Sequence, residues 1–200
     1  MTGIIDYGAG NIRSVENALD RLGAGYVLAS DTAILSECDR LVLPGVGEAA
    51  RAMACLREKN LDAFIRNTRK PLLGICLGMQ LLCSASEEGN VECLGIFGTD
   101  VRHFLHAFPE GVRLKVPHVG WNTVTSLKSD LFDGIADGSY MYFVHSYFAG
   151  ICEDTVSVTE YGIPFSSALR KDNFMGCQFH PEKSGDAGER MLAAFLNIRC

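Results

Sequence analysis

Two short stretches of this 200-residue chain bring together residue types that could do chemistry in concert. The first is Gly74-Ile75-Cys76-Leu77-Gly78, a thiol between two glycines. The second is His180-Pro181-Glu182, an imidazole two residues from a carboxylate. Thiol, imidazole and carboxylate are the parts of a cysteine–histidine–acid nucleophilic system. In it, sulfur attacks, the imidazole moves the proton and the acid orients the imidazole. Pro181 biases His180 towards an extended backbone. In an extended segment positions i and i+2 share a side, so His180 and Glu182 are expected to face one site. Taken singly, each has an ordinary reading: a buried packing cysteine, a satisfied structural histidine.

The elements around Cys76 strengthen the chemical reading. Residues 71–75 form a short apolar run bounded by Pro71, which reads as a buried strand. Leu77, Met79, Gln80, Leu81 and Leu82 follow as helix formers at helical spacing. Cys76 thus stands at a strand-to-helix junction, the cysteine version of a nucleophile elbow, with small neighbours that permit a sharp turn. A thiol there sits beside a helix N-terminus, which favours thiolate.

The first half of the chain alternates strands and helices. Strands are expected at 2–6, 25–29, 40–43 and 71–75. Helices are expected at 11–22, 48–57 and 60–69, with a helical turn between 30 and 39. This alternation implies a largely parallel sheet with helices on both faces. From about residue 89 helical periodicity fades. Short β-like runs at 96–104, 119–125, 140–145, 155–160, 165–170 and 174–179 predict added antiparallel strands before a last helix at 187–198. The expectation is one three-layer α/β domain over 1–200, flavodoxin-like. Pro44-Gly45-Val46-Gly47 closes the third strand as a loop able to present bare backbone N–H groups. The carboxyl ends of parallel strands are where such folds bind ligands, so this loop, Cys76 and the turn at 8–11 should share one edge. An N–H from residues 45–47 and that of Leu77 would then form an oxyanion hole.

Composition narrows the classes. An apolar content of 48% with 21% charged residues is ordinary for a globular protein. The net charge of −6 argues against nucleic acid or an anionic membrane as the main partner. No apolar run reaches membrane-spanning length, and the first residues do not read as an export signal. The eight cysteines form no C-x-x-C pair and read as reduced thiols of a cytoplasmic protein. Gly8-Ala9-Gly10 lacks the third glycine of a dinucleotide fingerprint, since Arg13 stands there. No cofactor is expected. His103 and His106 would face opposite sides of a strand, so no metal is expected either.

Three stretches, PGVG at 44–47, GICLGMQ at 74–80 and QFHPEKS at 178–184, resemble the class I, triad-type glutamine amidotransferases. Within them, DYGAGN at 6–11, PHVGWN at 117–122 and YFVHSY at 142–147 are similar to the glutaminase subunits of imidazole glycerol phosphate synthases. Glu48-Ala49-Ala50 follows the PGVG loop where relatives more often carry a small residue and then an aromatic. The resemblance implies that Cys76 attacks the carboxamide of glutamine, with His180 and Glu182 completing the triad. It implies that Gly45, Val46, Gly47 and Leu77 serve the oxyanion, and that Gly47, Gln80, His145, Ser146 and Tyr147 hold the substrate. It places Asn11, Arg13, Trp121 and Asn122 at an interface with a (β/α)8-barrel cyclase subunit, which receives the ammonia. Two rival readings stay open: a paralogue feeding another synthase, and a non-catalytic regulatory α/β module.

Overall fold

Four runs of four mostly apolar residues build the centre of the molecule: β1 (Thr2–Ile5), β3 (Arg40–Leu43), β4 (Leu72–Ile75) and, from the far end of the chain, β13 (Phe174–Cys177). Nearly all their side chains are buried, as parallel strands covered on both faces require. The computed structural model describes residues 1–8 and 12–198. In it β2 (Tyr26–Ala29) pairs with β1 at one side, and the parallel order runs β2-β1-β3-β4-β13. Strand alternation divides the core in two. Ile5, Leu41, Leu43 and Leu72 point into one apolar cluster. Ile4, Val42, Leu73 and Ile75 point into the other. Helices α3 (Ala49–Glu58) and α4 (Leu61–Asn67) cover the first face. Helices α1 (Ile12–Arg21) and α7 (Gly185–Asn197) cover the second. A short helix, α2 (Thr32–Ser36), is capped by the Asp31 side chain. The three layers, parallel centre and flavodoxin-like character match the expectation.

The C-terminal half continues the sheet with β12 (Pro164–Lys171), antiparallel to β13, then β10 (Tyr147–Ala149) and β7 (Val101–His103). Small strands β5 (Ala85–Ser86) and β6 (Val91–Glu92) finish that edge, and β11 (Thr155–Glu160) pairs with β12. A separate two-stranded ribbon joins β8 (His118–Val124) and β9 (Ser139–His145).

Two expectations need correction. The run at 96–104 is a strand only over Val101–His103. It then turns into helix α6 (Phe104–Ala107), because the His103 ring accepts the Leu105 N–H at 3.3 Å and caps it. His103 and His106 are therefore not on opposite strand faces. Their rings lie 5.2 Å apart, and His106 pairs with Glu87 at 3.1 Å. Among the described residues no group of three or more His, Cys, Asp or Glu is placed to hold a metal ion. The run at 174–179 ends as a strand at Cys177, where Gln178 turns to bond the Ser167 carbonyl. Among the described residues no helix is long and apolar enough to cross a membrane.

Candidate active site

Because β4 lies between β3 and β13, three chain segments leave the sheet side by side at its carboxyl edge. They are the 44–47 loop, Cys76 with helix α5 (Leu77–Leu82), and the 178–183 segment. Cys76 adopts φ 54° and ψ −111°, a strained conformation for a residue with a side chain. Its N–H bonds the Cys177 carbonyl at 2.8 Å, and its own carbonyl takes the first helical bond, from Gln80 N at 3.2 Å. The flanking glycines are required by close approach. A Cβ on Gly78 would lie 1.9 Å from the Leu43 carbonyl oxygen, and one on Gly74 would lie 2.7 Å from Gly78.

The two glycines of the 44–47 loop have different tasks. A Cβ on Gly45 would fall 2.4 Å from Gly78 N, so Gly45 lets the loop press on the elbow. Gly47 has φ +101° and open space around it, so it supplies conformational freedom. Val46 between them is exposed and lines the cleft. The small residues after the loop also have a purpose. A Cβ on Gly89 would lie 2.4 Å from the Ala50 Cβ, so Ala50 admits the 87–90 turn against the start of α3. There the Glu88 carboxylate accepts the Ala49 N–H at 2.9 Å.

His180 and Glu182 meet, but by a different route from the one expected. His180 is extended, whereas Glu182 lies in a single 3-10 turn, Pro181–Lys183. The turn brings His180 Nδ1 to 2.7 Å from Glu182 Oε1, with both side chains almost wholly buried. The other ring nitrogen, Nε2, is buried and has no hydrogen-bond partner among the described residues. Burial opposes charge on this ring. The neighbouring Cys76 sulfur and the Glu182 carboxylate outweigh it and push the His180 pKa up to about 10. The Cys76 part of that effect is the pull of a nearby sulfur, since the Nε2 geometry is not that of a formed hydrogen bond.

Cys76, His180, Gly47, Leu77, Gln80, His145, Ser146 and Tyr147 all line one cleft of about 340 Å³. Val46 borders it too, while Gly45 stays behind the loop. Ser146 is where the chain passes from β9 in the ribbon to β10 in the main sheet, which aims the 145–147 segment at the cleft. Both amide hydrogens of Gln80 are engaged, by the Tyr147 carbonyl at 3.0 Å and Gln178 Oε1 at 2.8 Å. Its carboxamide oxygen is the part that can turn to a ligand.

Sequence reasoning missed two members of this region. Glu88 lines the cleft, and burial raises its pKa, against the Ala49 N–H. Its only sequence signal was the acidic pair Glu87-Glu88 before Gly89. Tyr7 is wholly buried, and its hydroxyl donates to the Pro44 carbonyl at 2.9 Å. It thereby ties the first strand's exit to the 44–47 loop. Burial, then the Cys76 and Cys55 thiols, push the Tyr7 pKa up. Tyr7→Phe is expected to cost about 1 kcal/mol of stability, the net value of one hydrogen bond. A denaturant titration with unchanged midpoint would contradict that tie.

The interface candidates divide. Asn11 lies outside the described residues. Arg13 is exposed on α1. In the ribbon, Val119, Trp121 and Thr123 share a face with Val144, Tyr142 and Tyr140 across from them. Val119 and Trp121 are each 55% exposed and Tyr140 is 62% exposed, an open apolar and aromatic patch beside the cleft. Asn122 belongs to the ribbon's other face, where it bonds the Glu160 carbonyl at 2.9 Å.

Residues 3–198 match the family Glutamine amidotransferase class-I. The chain is 55% identical over 195 residues to the imidazole glycerol phosphate synthase subunit HisH of Bacteroides fragilis strain YCH46, covering 98% of each chain. It is 45% identical over 197 residues to the protein of that name from Yersinia pseudotuberculosis, again covering 98% of each. Among solved structures it is similar to one titled glutamine amidotransferase, with TM-score 0.73, 20% identity and coverage of 98% and 96%. It is also similar to PurLQS from Thermotoga maritima, with TM-score 0.69, 18% identity and coverage of 98% and 97%. A nucleophile elbow, a histidine–glutamate pair and a full-length match of this strength have one conclusion: the chain belongs to the class I glutamine amidotransferases, and within them to the HisH subunits of imidazole glycerol phosphate synthase.

Proposed function

We propose that this chain is the glutaminase of a two-subunit synthase, a cytoplasmic protein built as one amidotransferase domain over residues 1–200. Cys76 attacks the side-chain carboxamide of glutamine and forms a glutamyl thioester. His180 takes the thiol's proton as the sulfur attacks and gives it to the departing ammonia. It then takes one from the water that releases glutamate. Glu182 holds the ring in the required orientation. The Leu77 N–H and the backbone of residues 45–47 meet the negative charge that develops on the carbonyl oxygen. The Gln80 oxygen and the 145–147 segment, with Gly47, hold the α-amino and carboxylate groups. Glu88, at the cleft wall, adds negative charge for the ammonium. The observation that carries the reading is the meeting of a strained cysteine elbow and a buried His180–Glu182 pair at 2.7 Å in one cleft.

The ammonia goes to a (β/α)8-barrel cyclase subunit seated on the ribbon's exposed face around Trp121, with the exposed Arg13 as a further contact. That subunit makes imidazole glycerol phosphate and aminoimidazole carboxamide ribotide in histidine biosynthesis. The names of the relatives and the exposed aromatic patch support this partner.

Glutamate release is to be measured for the lone chain, for the complex, and for the complex with a cyclase ligand. The lone chain is expected to be slower by a factor on the order of 10²–10³, the cost of one missing oxyanion donor. A partner ligand restores that donor by binding the active arrangement of the 44–47 loop preferentially. Val46→Pro, which removes an N–H and fixes φ, should abolish the stimulation. Full activity in the lone chain, unchanged by partner and ligand, would refute the coupling.

A further inference from the structure

Gln178 stands between the strand β13 and His180, is completely buried, and has no part in the chemistry described above. Its carboxamide nitrogen lies 3.6 Å from the Cys76 sulfur. We propose that Gln178 is a positioning residue for the nucleophile: its N–H donates to the Cys76 sulfur, and the Tyr147 carbonyl, acting through the Gln80 amide, holds the Gln178 amide that way round. This inference rests on the reading of Cys76 as the nucleophile.

The orientation of each amide and ring follows from what carbonyl oxygens can do. The Tyr147 carbonyl only accepts, so the Gln80 atom 3.0 Å away is Nε2. That same Nε2 is 2.8 Å from the Gln178 amide, where it needs an acceptor, so Oε1 of Gln178 faces Gln80. The Gln178 NH2 group is then left to face sulfur. The Tyr147 carbonyl takes a second bond, from His145 Nδ1 at 2.7 Å, which fills both its lone pairs. With its proton on Nδ1, His145 presents a bare Nε2 to His118 Nδ1, 2.9 Å away. His118 must donate there, which leaves its Nε2 bare to accept from Asn122 Nδ2 at 3.3 Å. Asn122 is fixed in turn by the Glu160 carbonyl at 2.9 Å. One pattern of donors satisfies every contact, and it requires both histidines to be neutral. Burial keeps them so, lowering His118 to about 4 and His145 to about 3. Reversing any member of this low-dielectric chain would set donor against donor or acceptor against acceptor.

A donor at sulfur favours thiolate over thiol, so its removal should be visible in the thiol's own chemistry. The test is alkylation of Cys76 by iodoacetamide against pH, read on the Cys76 peptide by mass spectrometry. Gln178→Met keeps the length and loses the donor. Gln178→Leu also loses the donor and adds no charge beside the sulfur, so it serves if the methionine variant folds poorly. Each is expected to slow alkylation at neutral pH by about tenfold and to move the pH–rate profile upward. Wild-type profiles in both Gln178 variants would overturn the proposal. Alkylation does not depend on glutamine turnover. A chain that never hydrolysed glutamine, yet showed these shifts, would sink the glutaminase reading and leave the role of Gln178 intact.

Discussion

Cys76→Ala is expected to abolish glutamine-dependent synthesis by the complex while leaving synthesis from added ammonia near its normal rate. The loss should be on the order of 10⁴-fold or more, because removing a nucleophile removes the covalent route, not one stabilising contact. The substitution is well suited to the test. Cys76 is buried but sits at the cleft wall, and alanine keeps the Cβ on the strained elbow, so the fold should be disturbed little. Ammonia enters downstream of the thioester, and its use needs only a folded subunit. Assays of the complex with glutamine and with an ammonium salt at alkaline pH separate the two. Glutamine use near the wild-type rate would take the nucleophile's role from Cys76.

His180→Ala and Glu182→Gln should both be severe, but unequally. The imidazole transfers protons in each half of the reaction, whereas the carboxylate orients and charges it without exchanging a proton. Losing His180 should approach the cost of losing Cys76, and Glu182→Gln should retain a measurable fraction of activity. The pH dependence has a definite sign. Burial depresses the His180 pKa, and Cys76 and Glu182 together raise it to about 10. An imidazolium able to protonate the leaving group therefore persists from neutral pH until the pH nears that value. Replacing the carboxylate by a neutral amide removes one of the raising influences. The alkaline limb of kcat/KM for glutamine should accordingly move to lower pH in Glu182→Gln. An unmoved limb with undiminished rate would remove Glu182 from the triad.

The parts of this site that follow from local rules were legible in the residues. Gly74, Cys76 and Gly78 announce an elbow because only small neighbours allow its backbone-to-backbone packing, and the structure has such packing at Leu43. The strand and helix alternation of the first half was readable for the same reason, since buried parallel strands are short apolar runs. Features that depend on a remote partner were not legible. His103 ends its strand because its own ring caps Leu105, which outweighs a β-like composition. Glu182 reaches His180 through a 3-10 turn that Pro181 can begin but does not dictate. Tyr7 and Glu88 look like any tyrosine and any acidic loop residue until the fold brings them to Pro44 and Ala49. Gln178 was visible only as part of a motif. Its orientation is set by residues about a hundred positions earlier and some thirty earlier, which no local pattern encodes.

The most direct test of the central claim is covalent capture by a glutamine analogue that carries a diazo-ketone in place of the carboxamide. It is to be incubated with the chain, alone and with the cyclase subunit, and followed by peptide mass spectrometry. Such a reagent needs both a reactive thiol and a site that holds the glutamine backbone. Burial pushes the Cys38, Cys83, Cys93 and Cys177 thiols up, which disfavours the reactive thiolate at those four positions. The account predicts one adduct, on Cys76, that excess glutamine suppresses. Adducts spread over other cysteines and indifferent to glutamine, or none on Cys76, would contradict it.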